Sequence, residues 1–245
     1  MKVKLWLISS VLTLLLLAAG VWYSARSRQA ALSVDVDEAR FPVRGLDISA
    51  HNGDVDFDRL AGDSIDFLML KATEGTTFKD PRFHSNYLNA RKAGIKVIGA
   101  YHFFRFDTDG EMQAINFLNS LIGKTLDLPA VIDLEEWTNP KDIETEEIVA
   151  RLRSMIDCLE RNGHNVMFYT NKNGYRRFLE NRFESYPLWI CSFTDPPLEP
   201  LDTDRWDLWQ YSHLGWTEAC DTKVDLNTFN GTRDEWLNWL TASTF

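Results

Sequence analysis

The segment LPAVIDLEE, residues 128–136, runs from an apolar stretch directly into carboxylates. Asp133 and Glu135 are two residues apart, and side chains at that spacing on a β-strand point to the same side. Two carboxylates held together in an apolar setting repel each other, so at least one should keep its proton to a higher pH than usual. A protonated carboxylic acid beside an ionised one is the arrangement that cleavage of a glycosidic bond requires.

Short apolar and β-branched runs alternate with helical segments from residue 43 onward. Eight runs are predicted as strands: RGLDISA (44–50), DFLMLKAT (66–73), KVIGAYHFF (96–104), LPAVIDLEE (128–136), NVMFYT (165–170), PLWICSF (187–193), DLWQYS (207–212) and KVDLNTF (223–229). The early runs are almost continuously apolar, which is typical of parallel strands covered on both faces. Eight such strands in about 200 residues favour an α/β, TIM-like closed barrel whose last helices are missing.

Apolar stripes predict the helices between the first six strands. Residues 81–94 carry one stripe between Pro81, which suits a first helical turn, and Gly94, which suits a helix end. Two further stripes consist of Met112, Ile115, Leu118 and Ile122, and of Ile148, Leu152, Met155 and Leu159. A doubly wound open sheet is the alternative, but neither GxGxxG nor GxxxxGK[ST] occurs, which disfavours a nucleotide-binding fold.

Two more acids fall where a barrel would bring them to the same rim. Ligands bind at the carboxyl ends of barrel strands, where Asp133 and Glu135 lie. Asp47 is late in the first predicted strand and Asp225 is in the eighth, and these strands become neighbours when the barrel closes. A lone Asp at a strand end more often caps a helix. Four inward carboxylates are harder to explain in that way, because burying like charges together is costly unless the function needs them.

Composition and motifs disfavour several other functions. The net charge is -10 and there is no basic stripe, so we expect no nucleic-acid partner. His51 and His102 form no ligand pattern with the acids, and we expect neither a metal nor another cofactor. Cys158, Cys191 and Cys220 are too widely spaced for a zinc knuckle or a CxxC pair. They are predicted to be reduced or buried thiols, with a single disulfide as the alternative.

The first 28 residues have the pattern of an export segment. Two lysines precede an uncharged stretch, residues 5–25, that is long enough to cross a ~30 Å hydrocarbon core. The small residues at 18–20 form only a weak cleavage site, which favours an uncleaved membrane anchor over a cleaved signal peptide. Residues 29–42 are polar and aperiodic and are predicted to be a tether, followed by a single barrel domain at 43–245. The barrel would then be exported, either anchored to the inner membrane and facing the cell wall or periplasm, or secreted.

The ordered set of segments resembles glycoside hydrolase family 25, the muramidase or lysozyme family with an irregular (β/α)5β3 barrel. The matching segments are RGLDISAHNGDVDF, FLMLKATEGTTFKDPRF, ARKAGIKVIGAYHFF, LPAVIDLEE, FYTN, PLWICSF, LWQYS and VDLNTF. Taken singly, most of these segments are weak indicators of the family. Their order and separations from Arg44 to about Leu240 are specific to it. The resemblance implies hydrolysis of the β-1,4 bond between N-acetylmuramic acid and N-acetylglucosamine, with peptidoglycan glycan strands as the partner.

The same resemblance implies roles for individual residues. Glu135 matches the general acid, and Asp133 matches the acid that assists the acetamido group of the substrate. Asp47 and Asp225 match the remaining pocket carboxylates. Sugar-lining positions are matched by Lys71, Tyr101, Tyr169, Trp189 and, more weakly, Gln210.

Departures from the family pattern concern substrate detail more than chemistry. His51 and Asn52 stand where many relatives carry Trp-Gln, and Cys191 and Phe193 stand where Ala and Tyr are common. Chitinases end the fourth strand with DxxDxDxE, of which only the last two acids are present. Two non-enzymatic alternatives remain: a non-catalytic protein that binds wall glycan on the same barrel, and a membrane-held immunity or scaffold protein.

Overall fold

The protein, represented by a computed structural model that describes residues 32–195, 197 and 205–243, is built around a closed barrel. Its strands are β1 (Arg44–Ile48), β2 (Phe67–Glu74), β3 (Phe78–Lys79), β4 (Ile98–Phe103), β5 (Ala130–Asp133), β6 (Val166–Asn171), β7 (Leu188–Cys191), β8 (Leu208–Gly215) and β9 (Val224–Phe229). All eight predicted strands are present. The sequence did not predict β3, a two-residue strand that pairs with β2 outside the barrel.

Strand pairing closes the barrel between the first strand and the last. The order is β1-β9-β8-β7-β6-β5-β4-β2, and a parallel pairing of β1 with β2 completes the ring. β9 runs antiparallel to both of its neighbours, whereas the other barrel pairs are parallel. The amino end of β9 therefore lies at the rim where the other strands have their carboxyl ends, and Asp225 is directly opposite Asp47. The predicted adjacency of these two acids is confirmed.

Helices follow each of the first five barrel strands. They are α1 (Phe57–Gly62), α2 (Phe83–Lys92), α3 (Gly110–Leu121), α4 (Thr145–Arg161) and α5 (Lys172–Gly174), which continues as a π-helical turn, Tyr175–Leu179; α6 (Arg233–Ser243) follows β9. The described residues between β7 and β9 contain no helix. The arrangement is thus five βα units followed by three strands, as the family resemblance implied.

Alternation along the strands separates two apolar layers. Val131 belongs to a cluster inside the barrel, whereas Ala130, Ile132 and Leu134 pack in the layer between barrel and helices. The parity of β5 therefore continues the inward face from Val131 to Asp133, and Leu134 points away from the mouth.

The predicted apolar stripe of α3 was wrong. Met112 is 50% exposed and Ile122 is 74% exposed, whereas Phe117 is fully buried. The inward face of α3 also carries polar side chains. Gln113 contacts the buried His102 ring, Nε2 to Oε1 at 3.1 Å, and the Asn116 amide donates to the carbonyls of Gly75 and Phe78. The buried face also carries an apolar set at helical spacing, Ala114, Phe117 and Leu121, so the predicted stripe was the exposed one of two.

The described part of the predicted tether, residues 32–42, lies against the barrel. Val34 N–H donates to the Tyr211 carbonyl at 3.0 Å, and His213 N–H donates to the Leu32 carbonyl at 2.9 Å. Phe41 is buried between Trp206 and Trp209, with ring centroids 5.7 and 5.9 Å away. This stretch extends the edge of β8 and contributes a core side chain, so it belongs to the folded unit.

Other expectations have mixed outcomes. The predicted export segment, residues 1–28, lies outside the described residues. Among residues that are described, no helix has the length and apolar character needed to cross a bilayer.

Cys158, Cys191 and Cys220 are all buried free thiols, in agreement with the preferred interpretation.

We expect Phe41→Ala to lower the free energy of unfolding by about 3–5 kcal/mol, because it empties a buried aromatic site. Thermal and urea unfolding followed by circular dichroism would measure the loss. Leu237→Ala, at a side chain that is 60% exposed, is the control and should change stability little. Equal stability of the two variants would show that residues 32–42 are not part of the cooperative fold.

Candidate active site

A cavity of about 730 Å³ opens at the rim formed by the carboxyl ends of the parallel strands. The structure brings all nine residues predicted for the site to its wall: Asp47, Lys71, Tyr101, Asp133, Glu135, Tyr169, Trp189, Gln210 and Asp225. These residues come from all eight barrel strands and the loop after β5, so the cavity exists only when the barrel is closed.

Hydrogen bonds from both neighbouring strands hold the backbone that carries Asp133 and Glu135. Phe104 N–H donates to the Asp133 carbonyl at 2.9 Å, and Leu134 N–H donates to the Tyr169 carbonyl at 2.8 Å. The buried Asn139 amide donates to the Glu135 carbonyl at 2.8 Å and so ties the following loop back to it. Glu135 is therefore fixed in direction although it lies two residues beyond the end of β5.

The Asp133 carboxyl is deeply buried. Burial raises its pKa well above the usual value, and repulsion from Glu135 adds to the effect, while the Lys71 ammonium opposes it. Its Oδ1 atom has no hydrogen-bond partner among the described residues. A buried oxygen without a donor is unfavourable by about 1–3 kcal/mol, so this atom is suited to meet a donor that a ligand brings.

Glu135 is only half-buried and reaches the open part of the cavity. Burial raises its pKa, and the charge of Asp225 adds to the rise, whereas His213 and Lys71 lower it. A carboxyl with a raised pKa keeps its proton closer to neutral pH and can donate it to a ligand. Glu135 thus has the access that a general acid needs, and its pKa is shifted in the direction that such a role requires.

Asp47 and Asp225 form the opposite wall. The amides of Gln210 and Asn227 both donate to Asp47 Oδ2, each at 2.8 Å. Burial, and then repulsion from Asp225, raise the pKa of Asp47 to about 8. Asp225 has a cationic partner instead, since its Oδ1 atom lies 2.8 Å from Nδ1 of His213. The two acids of this wall therefore have different partners, two amides at Asp47 and an imidazole at Asp225.

Aromatic and amide side chains form a hydrogen-bonded cavity floor. Tyr169 O–H donates to Gln210 Oε1 at 2.7 Å, and Trp189 Nε1–H donates to Asn227 Oδ1 at 2.8 Å. The Tyr169 and Trp189 rings meet edge to face at 4.5 Å. Since Trp189 and Gln210 are almost fully buried, they hold the acids in place more than they offer open surface.

Lys71 and Tyr101 stand on the side wall and are more accessible than the floor. Lys71 Nζ lies 2.9 Å from Glu74 Oε2, and it is also close to the Phe103 ring. Arg105 extends this pair, with its guanidinium 3.8 Å from Glu74 Oε1. The side wall thus offers donors to a ligand that contacts Asp133.

Sequence reasoning missed His213, Asn227 and Glu74, which all contribute to the site. Asn227 lies two residues after Asp225, so the spacing rule applied to β5 could have found it. His213 had no such signal. The register of β8 against β9 shifts on both sides of Ser212, and the expected alternation from Gln210 would have placed Ser212, not His213, at the mouth.

Positions that depart from the family pattern also lie at the mouth. His51 and Asn52 line the cavity entrance, where the Asn52 amide donates to the Lys223 carbonyl at 3.0 Å. Trp137, which is 75% exposed, lines the opposite side of the entrance near Glu135. The opening, unlike the floor, therefore presents side chains that are free to contact a ligand.

Known proteins with similar sequences and structures give the family. Residues 46–219 match the model of the glycosyl hydrolases family 25. Lysozyme M1 of Streptomyces globisporus is 32% identical over 77% of this chain and 68% of its own. The N,O-diacetylmuramidase of Arthroderma benhamiae is 30% identical over 91% of this chain and 96% of its own.

A solved structure agrees with these sequence matches. A family 25 glycosyl hydrolase from Bacillus anthracis superimposes with a TM-score of 0.74 at 32% identity, covering 84% of this chain and 96% of that one. The family match includes β1 with Asp47, β5 with Asp133, and Glu135 in the loop that follows β5. The chain belongs to glycosyl hydrolase family 25.

Proposed function

We propose that the protein is a peptidoglycan muramidase that hydrolyses the β-1,4 bond between N-acetylmuramic acid and N-acetylglucosamine. The observation that carries this proposal is the convergence of Asp133 and Glu135, both with raised pKa values, on one cavity that also contains Asp47 and Asp225. The similarity to proteins named lysozyme and N,O-diacetylmuramidase supports the choice of substrate.

In the proposed reaction, Glu135 protonates the glycosidic oxygen as the leaving group departs. Its half-buried position supports this role, because the acid must touch the substrate while water is partly excluded. Burial and the charge of Asp225 both help to keep the proton on Glu135 until the glycosidic oxygen accepts it.

Asp133 is proposed to orient the 2-acetamido group, whose carbonyl oxygen attacks the anomeric carbon of the same sugar. The free Oδ1 atom of Asp133 supports this role, because the acetamido N–H is a donor of the kind that this buried oxygen lacks. Water then opens the intermediate, and the anomeric configuration is retained. Such substrate-assisted cleavage is a recognised alternative to the scheme with two carboxylates. Direct attack by water, aided by Asp47 or Asp225, would invert the configuration instead.

We expect Glu135→Gln to reduce turnover of purified peptidoglycan by at least ~100-fold, because glutamine cannot donate a proton to the leaving oxygen. Release of reducing ends measures turnover, and co-sedimentation with insoluble peptidoglycan should show binding largely kept. Glu136→Gln is the matched control, since Glu136 points away from the cavity and pairs with Arg177. A wild-type protein that binds peptidoglycan but gives no clearing in a zymogram would instead be a non-catalytic glycan binder.

Asp133→Asn should also lower turnover strongly, because an amide nitrogen in place of one carboxyl oxygen cannot accept from the acetamido N–H. For the wild-type protein, NMR of the first product formed should show the β-anomer, which indicates retention. Asp142→Asn, at an exposed residue, should leave turnover unchanged. An initial α-anomer would exclude the acetamido route and assign the water-activating role to Asp47 or Asp225.

We further propose that the barrel acts outside the cytoplasm and that residues 1–28 hold it at the membrane. The uncharged stretch at 5–25 after two lysines supports an anchor. With a carboxyl-terminal tag, the full chain should remain in the membrane fraction after washing with salt and carbonate. A chain that lacks residues 1–28 should be released. Mass spectrometry that finds a mature amino terminus near residue 21 would show cleavage and replace the anchor with a secretion signal.

A further inference from the structure

His213 is a cation within the acidic cavity to which no role in the proposed reaction has been assigned. Its Nδ1 atom lies 2.8 Å from Asp225 Oδ1, so this nitrogen must carry a hydrogen when the carboxylate accepts. The Nε2 atom faces Cys191 Sγ at 3.9 Å, and the Phe193 ring packs edge-on at 4.9 Å. The ring is therefore fixed at both nitrogens and on one face.

The groups that face this ring come from four other elements of the barrel. Asp225 lies on β9, Cys191 on β7, Asp47 on β1 and Glu135 after β5. Burial by itself would lower the pKa of His213, but the hydrogen bond to Asp225 and the charge of that carboxylate outweigh burial and raise it to about 10. Lys71, on the far side of Glu135, is the other cation that acts on the same carboxyl.

The hydrogen bonds of Asp47 allow this acid, and not Asp225, to hold a proton. Both donors to Asp47, from Gln210 and Asn227, converge on Oδ2, which leaves Oδ1 for a proton. Asp47 and Asp225 are paired across β1 and β9, so two negative charges there would repel strongly. His213 lies beside Asp225 and not beside Asp47. This difference makes the two acids of the pair unequal.

We propose that His213 is a positioning residue that sets the charge pattern of the cavity. It holds Asp225 ionised and leaves on Asp47 the one proton that Asp47 and Asp225 share. It also lowers the pH above which Glu135 loses its proton. The inference rests on the proposed muramidase function for its kinetic consequence. The charge assignment itself does not depend on turnover.

The kinetic test compares pH profiles of kcat/KM on purified peptidoglycan for the full chain and for His213→Gln. The imidazolium lowers the pKa of Glu135, so its removal should let Glu135 keep its proton to higher pH. The alkaline limb should therefore move up by about half a unit to one unit.

Two further variants separate charge from structure. His213→Arg keeps a cation that can donate to Asp225, and it should restore much of the wild-type profile. His84→Gln changes an exposed histidine on α2 and should leave the profile unchanged. Lower activity of His213→Gln with the alkaline limb unmoved, or a profile of His213→Arg identical to that of His213→Gln, would overturn the proposal.

The charge of the His213 ring can also be measured directly, and this measurement does not require an active enzyme. Side-chain ¹⁵N NMR of the wild-type protein, with the His213 signal assigned by its loss in His213→Gln, reports the charge of the ring. We expect the doubly protonated form to persist above pH 8. Titration of His213 near the usual histidine value of about 6.5 would refute the charge assignment, whereas loss of turnover alone would refute only the proposed function.

Discussion

The mutual repulsion of carboxylates buried at one rim of the barrel is the constraint on which the site depends. Asp47, Asp133, Glu135 and Asp225 line one cavity, and each ionised member makes ionisation of the others less favourable. The amides of Gln210 and Asn227 offset part of this repulsion at Asp47. His213 offsets part of it at Asp225. Asp133 Oδ1 has no such partner among the described residues, so the site remains unfavourable there until a ligand arrives.

Positioning of these acids comes from the barrel and not from their own segments. β5 is only four residues long, yet backbone bonds from Phe104 and to Tyr169 hold it on both sides. Asn139 then fixes the turn beyond Glu135 through bonds to the Glu135 and Phe104 carbonyls. Antiparallel entry of β9 brings Asp225 to the same rim. A rigid frame of this kind keeps the acids together despite their repulsion, because separating them would disrupt the hydrogen bonds of neighbouring strands.

Much of the fold and of the site could be predicted, and the failures have identifiable physical causes. The alternation of short apolar runs with helical stripes predicted all eight barrel strands, and the i, i+2 spacing predicted that Asp133 and Glu135 share a face. The predicted stripe of α3 was wrong because a second apolar set at helical spacing, Ala114, Phe117 and Leu121, is the buried one, together with the hydrogen-bonded Gln113 and Asn116. His213 escaped notice because irregular pairing of β8 changes its parity. The described residues before 43 proved to be packed on the barrel, since Phe41 fits between two Trp side chains.

The sequence by itself determined the elements, their order and the residue types available for chemistry, because periodicity and turn residues act over a few neighbouring positions. It also carried the family resemblance, which named Glu135 and Asp133 before any geometry was known. Only the tertiary structure decided which acids hold protons. A pKa depends on burial and on charges a few ångströms away, and those charges come from residues as distant in the chain as Asp47, Asp133 and His213.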